Sequence, residues 1–271
     1  MQEINVIKEI MKDREKNYRF FSHALLYELS ENAILMLKSD SRLQEASENE
    51  NIKRGNQLLK RYFAFHATDC RTELACDYAR IFLAAGVYTE TREIAVPYES
   101  VFTSTERLMM QDARDQVRDI FLREGFRLNP SLHEPEDHIG FLLEFLAESS
   151  KKTLHALESN DYHHARALIE RQAGFIEGHL LNWLPDLCEA VERYAQTTFY
   201  LGMLYLLRGY LEEDLVLQND IADALAMRHS LTHKTNKTNK MQGSTNSSSD
   251  QNRDNFLSAP PQSQNCTAVG V

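Results

Sequence analysis

The sequence predicts an all-α fold, a single-domain helical bundle, and three observations predict it. Apolar residues recur at every third or fourth position along almost the whole chain. No stretch longer than a few residues alternates apolar with polar, and only 10 glycines and 6 prolines in 271 residues are available to punctuate strands. Hydrophobic residues make up 42% of the chain, enough to fill a core without disulfide staples.

The elements follow from their stripes and start signals. Tyr18, Phe21, Leu25 and Leu29 form one stripe; Cys70, Leu74, Tyr78, Ile81 and Phe82 form a second; Leu108, Val117, Ile120 and Phe121 form a third. Thr68 and Asp69 stand ahead of the second stripe as capping residues, and Thr103 to Thr105 ahead of the third, which Gly125 is placed to end. Asp161, after Asn160, opens a further helix, and Pro185 followed by Asp186 suits a first helical turn.

Two regions interrupt this pattern. GVYTETREIAVPYESVF, within Gly86 to Ser104, reads as a long ordered loop, and loops of that length in compact domains carry function or move. Beyond about His229 the chain turns to Thr, Asn, Lys, Ser and Gln, with hardly an apolar side chain before Phe256 and Leu257. Such a composition buries too little surface to offset its ordering entropy. Residues 1–229 are therefore expected to form the folded domain and 230–271 a disordered polar tail.

Composition excludes several function classes. The formal net charge of −10 repels a phosphate backbone, so nucleic acid is not an expected partner, whereas a basic peptide would be attracted. The same acidity also serves simply to keep a protein in solution. No apolar stretch approaches the roughly 18 to 20 residues of a membrane span; LGMLYLLRGYL is short and broken by Arg208. The four cysteines contain no C-x-x-C pair and no secretory leader precedes them, which reads as free thiols in a cytosolic protein. There is no phosphate-binding glycine loop and no G-x-S-x-G elbow.

HEPEDHIGFLLEF, residues 133–145, concentrates the chemistry of the chain. Pro135 fits the first turn of a helix, which places Glu136 and Asp137 against unpaired backbone N–H groups and the positive end of the dipole. Ile139, Leu142, Leu143 and Leu146 then face inward, with Asp137, Gly140, Glu144 and Glu148 along another face. An acid–base couple of Asp137 and His138 is a second reading, that of a small hydrolase or nucleotide-binding enzyme. Adjacent helical residues, however, point about 100° apart, and neither implies a nucleophile. A metal site built on His138, Asp137 and His133 is a third, but the cluster lacks helical ligand spacing, as do the adjacent His163 and His164. Periodicity and composition leave these readings side by side.

EPEDH ahead of an apolar helix resembles the signature of the TorD/DmsD family, cytoplasmic chaperones for molybdenum-containing redox enzymes exported by the twin-arginine route. DYARIFLAAG at 77–86 is similar to the family's aromatic-x-x-Leu-Phe segment, VPYESVF at 96–102 to its Pro-aromatic-x-Ser-Val-aromatic loop, and HLLNWLPDL at 179–187 to its late His-Leu-x-x-Trp element. The resemblance covers residues from about 15 to 210 and leaves out the tail. It implies a non-enzymatic chaperone without a cofactor of its own, which binds the leader of its client and, in some members, the client's body until the molybdopterin cofactor is inserted. Its partners would be a molybdoenzyme catalytic subunit and that subunit's leader; an assembly chaperone for a nitrate-reductase-like enzyme kept in the cytoplasm is the neighbouring alternative. Carried over by position, the leader-binding surface would comprise Tyr78, Ile81 and Phe82, then Pro97, Tyr98 and Phe102, then Pro135, Asp137 and His138. Tyr78, Tyr98 and Phe102 stand where some relatives use tryptophan, which blurs the identity of the client. Aromatic and aliphatic side chains would hold the apolar part of a leader, and Asp137 would accept charge-assisted bonds from its arginines. Glu144 is expected to be solvated and Trp183 to be a packing anchor. Relatives exchange helices between subunits, so a homodimer hinged in the 86–104 loop is part of the expectation.

Overall fold

The computed structural model describes the backbone of residues 2–44, 46–65, 70–85, 95–129 and 132–243, with side chains as far as residue 228. In chain order its α-helices are α1 (Gln2–Leu26), α2 (Glu31–Lys38), α3 (Glu50–Phe65), α4 (Cys70–Phe82), α5 (Glu99–Thr103), α6 (Asp112–Arg123), α7 (Ile139–Glu158), α8 (Tyr162–Ile176), α9 (Leu184–Tyr194) and α10 (Phe199–Gly243). A 3-10 turn, Ser41–Gln44, precedes α3, and a π-helical turn, Glu177–Leu181, continues α8. Among the described residues there is no β-strand; an isolated antiparallel bridge joins Tyr98 to His138. The all-helical expectation holds. The remainder of the tail, the loop residues 86–94 and the capping pair Thr68 and Asp69 lie outside the described residues.

α7 occupies the centre. Ile139, Leu142, Leu143 and Leu146 are fully buried, and Phe141, Phe145 and Ala147 on its other faces are buried too. A helix that is apolar nearly all round must be enclosed by neighbours. α1 lies along one side of it, so close that a Cβ added to Gly140 would sit 2.9 Å from Leu26 Cβ, and Ser22 Oγ donates to Gly140 O at 2.8 Å. The main apolar cluster joins α1, α4, α7, α9 and the first half of α10. A second cluster, including Ile7, Met11, Leu157, Ile169 and Leu225, closes the end where α1 starts and α7 finishes. Between them Arg14 and Asp214, both buried, form a two-point ion pair at 2.7 and 3.0 Å that ties α1 to α10.

Local signals explain several boundaries. Asp161 accepts from His164 N–H at 3.0 Å and caps α8, and Pro185 sits in the first turn of α9, as their types demand. Gly125, at φ +67°, ends α6: its N–H donates to Leu122 O and that of Phe126 to Phe121 O, the paired pattern of a left-handed helix stop. Other boundaries differ from expectation. α6 begins at Asp112, not near Thr105, because Gln111 N–H donates to Ser100 Oγ at 3.2 Å and the preceding loop holds Arg107 and Met110 at positive φ. Leu108 consequently stands 47% exposed in that loop and belongs to no buried stripe. The expected 86–104 loop contains α5 at its end. α7 begins at Ile139, four residues after Pro135, with His138 as its cap.

Candidate functional site

Three segments far apart in sequence meet at the start of α7. The Ala95–Tyr98 loop runs antiparallel to the turn that follows Pro135: Ile139 N–H donates to Pro97 O at 2.9 Å and Glu99 N–H to Asp137 O at 3.1 Å. Asp137 does not cap its own helix. Its Oδ2 accepts from Ser100 N–H at 2.9 Å and Ser100 Oγ–H at 2.5 Å, so it caps α5 instead. His138 does what Asp137 was expected to do, its Nδ1 accepting Gly140 N–H at 3.0 Å, which leaves the ring proton on Nε2. The His138 ring lies edge-on to Tyr98 at 5.0 Å, and the Tyr98 hydroxyl donates to Glu134.

The third segment is the π-helical turn. His179 Nδ1 lies 3.1 and 3.0 Å from the two oxygens of Glu99, the first residue of α5, and Trp183 Nε1–H donates to His179 O at 2.8 Å. Phe102, at the other end of α5, stacks on Trp183 with centroids 5.4 Å apart. α5 is thus held at its start by Asp137 and His179 and near its end by Trp183. Arg114 of α6 adds a two-point pair to Glu136 at 2.6 and 3.3 Å. From α4, Tyr78 and Phe82 pack against Tyr200 of α10, while Asp77 accepts from Gln196 and Thr197 N–H and the Thr197 hydroxyl, capping the turn that leads into α10.

Burial sets the electrostatics. His138 is lowered to about 3, since the apolar surroundings disfavour its cation, and is neutral at ordinary pH. Burial raises Asp137 against the opposing bonds from Ser100, and raises Glu99 against the opposing bond from His179. Tyr98 is raised, first by burial and then by its bond to Glu134.

Tyr78, Ile81, Phe82, Pro97, Tyr98, Pro135, Asp137 and His138 are all buried, and Phe102 is half-buried. They come together as expected around α4, α5 and the α7 start, but their side chains face one another rather than solvent. The open surface lies one turn further along α7. There a cleft of about 710 Å³ runs between α1, α7 and residues 125–129 and 132, with Leu26, Phe126, Leu128, Leu132 and Phe141 as its apolar lining and Arg19, Glu144 and Glu148 on its wall. Phe141 belongs to both places, since its ring also lies 5.8 Å from that of His138. Glu144, expected to be solvated, is bonded to Arg19.

This arrangement suits binding rather than bond making. The Oδ2 of Asp137 and the Nδ1 of His138 are engaged in capping, Asp137 Oδ1 is buried without a partner, and the neutral His138 lies beneath Tyr98. Among the described residues no group of acidic, histidine or cysteine side chains is arranged to hold a metal ion.

Residues 45–189 match the nitrate reductase delta subunit family, a span that contains all the converging segments except α10. Similar proteins include the chaperone protein TorD of Vibrio cholerae, 29% identical over 224 residues that cover 79% of this chain and 94% of the relative. The TorD of Vibrio parahaemolyticus is 27% identical over 79% of this chain and 97% of its own length, and that of a Psychrobacter species 24% identical over 76% and 92%. The chain belongs to the TorD/DmsD family. It is therefore a chaperone and not an enzyme. Within the TorD/DmsD pattern, the residues that sequence reasoning passed over are Glu99, Ser100 and His179, which lock α5, and Asp77, which locks α10. All four sat inside quoted motifs, and only the absence of a visible partner hid their roles.

Proposed function

We propose that this chain binds the twin-arginine leader of a molybdenum-cofactor redox enzyme in the cytoplasm, assisting cofactor insertion and holding the client back from export until it is mature. What supports this reading is the convergence of the three family segments on a locked cluster whose helix, α7, continues directly into an open apolar cleft with Glu144 and Glu148 on its wall. A leader that joins an arginine pair to a moderately apolar segment matches both parts. Tyr78, Ile81, Phe82, Pro97, Tyr98, Phe102, Pro135, Asp137 and His138 then act mainly from beneath, holding the binding surface in shape. Phe102 and the exposed Glu134 present its outer edge. The net charge of −10 favours the encounter with a basic segment.

Calorimetric titration with the intact leader, the same leader with both arginines replaced by glutamine, and an unrelated basic amphipathic helix tests this. The intact leader is expected to bind at least about tenfold more tightly than either control, a difference of roughly 1.4 kcal/mol. Equal affinity for all three defeats the proposal. The family description favours, as a second reading, a client of the nitrate-reductase type that stays in the cytoplasm. Tight binding of a client's apo body together with indifference to its arginine pair selects that reading. Exchange of helices between two copies belongs to the same proposal, and a single monomer mass at every concentration excludes it.

A further inference from the structure

Arg19, on the wall of the cleft beside α7, is held by three carboxylates at once. Its Nε and Nη2 each lie 3.3 Å from Glu15 Oε1, its Nη1 donates to Glu144, and its Nη2 also donates to Glu148. Lys151, 3.9 Å from the other oxygen of Glu148, is a second cation beside the three acids. None of the partners is sealed in: the side chains are 38% exposed for Arg19, 27% for Glu15 and 33% for each of Glu144 and Glu148. The planar guanidinium reaches two carboxylates on successive turns of α7 through two different nitrogens, whereas an ammonium would have to serve both from a single one. The cleft's apolar lining begins beside it, since Ser22 and Leu26 follow Arg19 along α1 and Phe141 precedes Glu144 along α7. Arg127 and Lys152 also line the cleft, and Lys152 is anchored to Glu124 O.

We propose that Arg19 is a resident stand-in for an arginine of the client. The client's apolar segment lies on Leu26, Phe126, Leu128 and Phe141, and one of its guanidinium groups displaces Arg19 from Glu144 and Glu148. Arg19 keeps Glu15, its neighbour one turn back on α1. The inference rests on the leader-binding reading and adds to it a place and a mechanism of release. Because Arg19 keeps Glu15 when it leaves, the exchange gains affinity for an arginine, less for a lysine, whose single nitrogen must serve both carboxylates, and none for an uncharged segment, which leaves the clamp closed. It also keeps the carboxylates satisfied when no client is present, which limits capture of unrelated basic segments.

The test titrates the intact leader, and a leader with both arginines changed to lysine, against the full chain and two variants, each checked for wild-type helicity and melting temperature. Arg19→Gln removes the competitor and is expected to tighten leader binding about threefold or more. The double variant Glu144→Gln, Glu148→Gln is expected to weaken it about tenfold and to abolish the preference for arginine over lysine. An independent measurement on the unaltered protein follows the Arg19 Nε–H resonance by NMR, assigned by its loss in Arg19→Lys; it should shift as leader is added. Wild-type discrimination of the arginine pair, combined with unchanged or weaker binding by Arg19→Gln, or with a stationary Arg19 resonance at saturation, overturns the exchange while leaving the leader reading intact. Failure of the wild type to discriminate at all removes both.

Discussion

Asp137 serves a helix that is not its own. By accepting both the N–H and the hydroxyl of Ser100 it fixes the start of α5, while its own segment is held by Pro97 and Glu99. Replacing it with alanine removes a cap and leaves two buried donors without an acceptor, an expected loss of about 1 to 2 kcal/mol in thermal or urea unfolding. Asp137→Asn keeps an acceptor and should cost less; equal losses would mean that the bond to Ser100 is not what the residue supplies. His138 makes a pH prediction. An unfolded histidine takes up a proton near pH 6.5, whereas the buried ring does so only at about 3. The unfolded chain therefore binds the extra proton within that window. The stability due to His138 is full above pH 6.5 and falls as pH drops toward 3, at about 1.4 kcal/mol per pH unit. Asp137 and Glu99, both raised, act in the opposite sense, favouring the fold when protonated and losing that contribution as pH rises above the usual carboxylate range. His138→Asn retains a capping acceptor without the titration, so the slope of unfolding free energy between pH 4 and 6 should flatten by about one proton. A slope identical to wild type would show that the ring is not buried neutral.

At the scale of elements, the bundle depends on α1 being locked to both α7 and α10. Asp214 accepts from Arg14 at two points, from Tyr18 Oη at 2.5 Å and from Gln218 Nε2 at 2.7 Å, all in the interior. Arg14→Met strands a buried carboxylate, and the expected cost is about 3 to 5 kcal/mol in chemical denaturation; adding Asp214→Leu should restore part of it, because the unpaired charge goes too. If the double variant is no better than the single one, packing rather than charge governs the contact. The elements also mark where reading by period succeeds. Asp161, Gly125 and Pro185 act within one turn of their own position, so residue type alone reveals them. α6 and α7 start later than their sequence signals because Gln111 finds its acceptor in Ser100, and Asp137 its donors in α5. Local capping rules cannot register a partner supplied by another element.

For the molecule as a whole, the proposed binding surface and the packing that supports it occupy two adjoining places. The cluster of motif residues is interior and locks α5; the cleft beside it is open, and Arg19 occupies Glu144 and Glu148 on its wall. Variants in the cluster are thus expected to change melting behaviour and leader affinity together, whereas Glu144→Gln and Glu148→Gln should change affinity with little effect on melting.

By itself the sequence determined the all-helical fold, the family and which segments pack together, because a 3.6-residue period and a run such as EPEDH are written locally along the chain. The tertiary structure alone decided that the motif aromatics face inward, that Asp137 caps α5, and that Glu144 holds Arg19. Period tells which face of a helix is covered but not what covers it, and the partners of Asp137 and Glu144 lie 37 and 125 residues away.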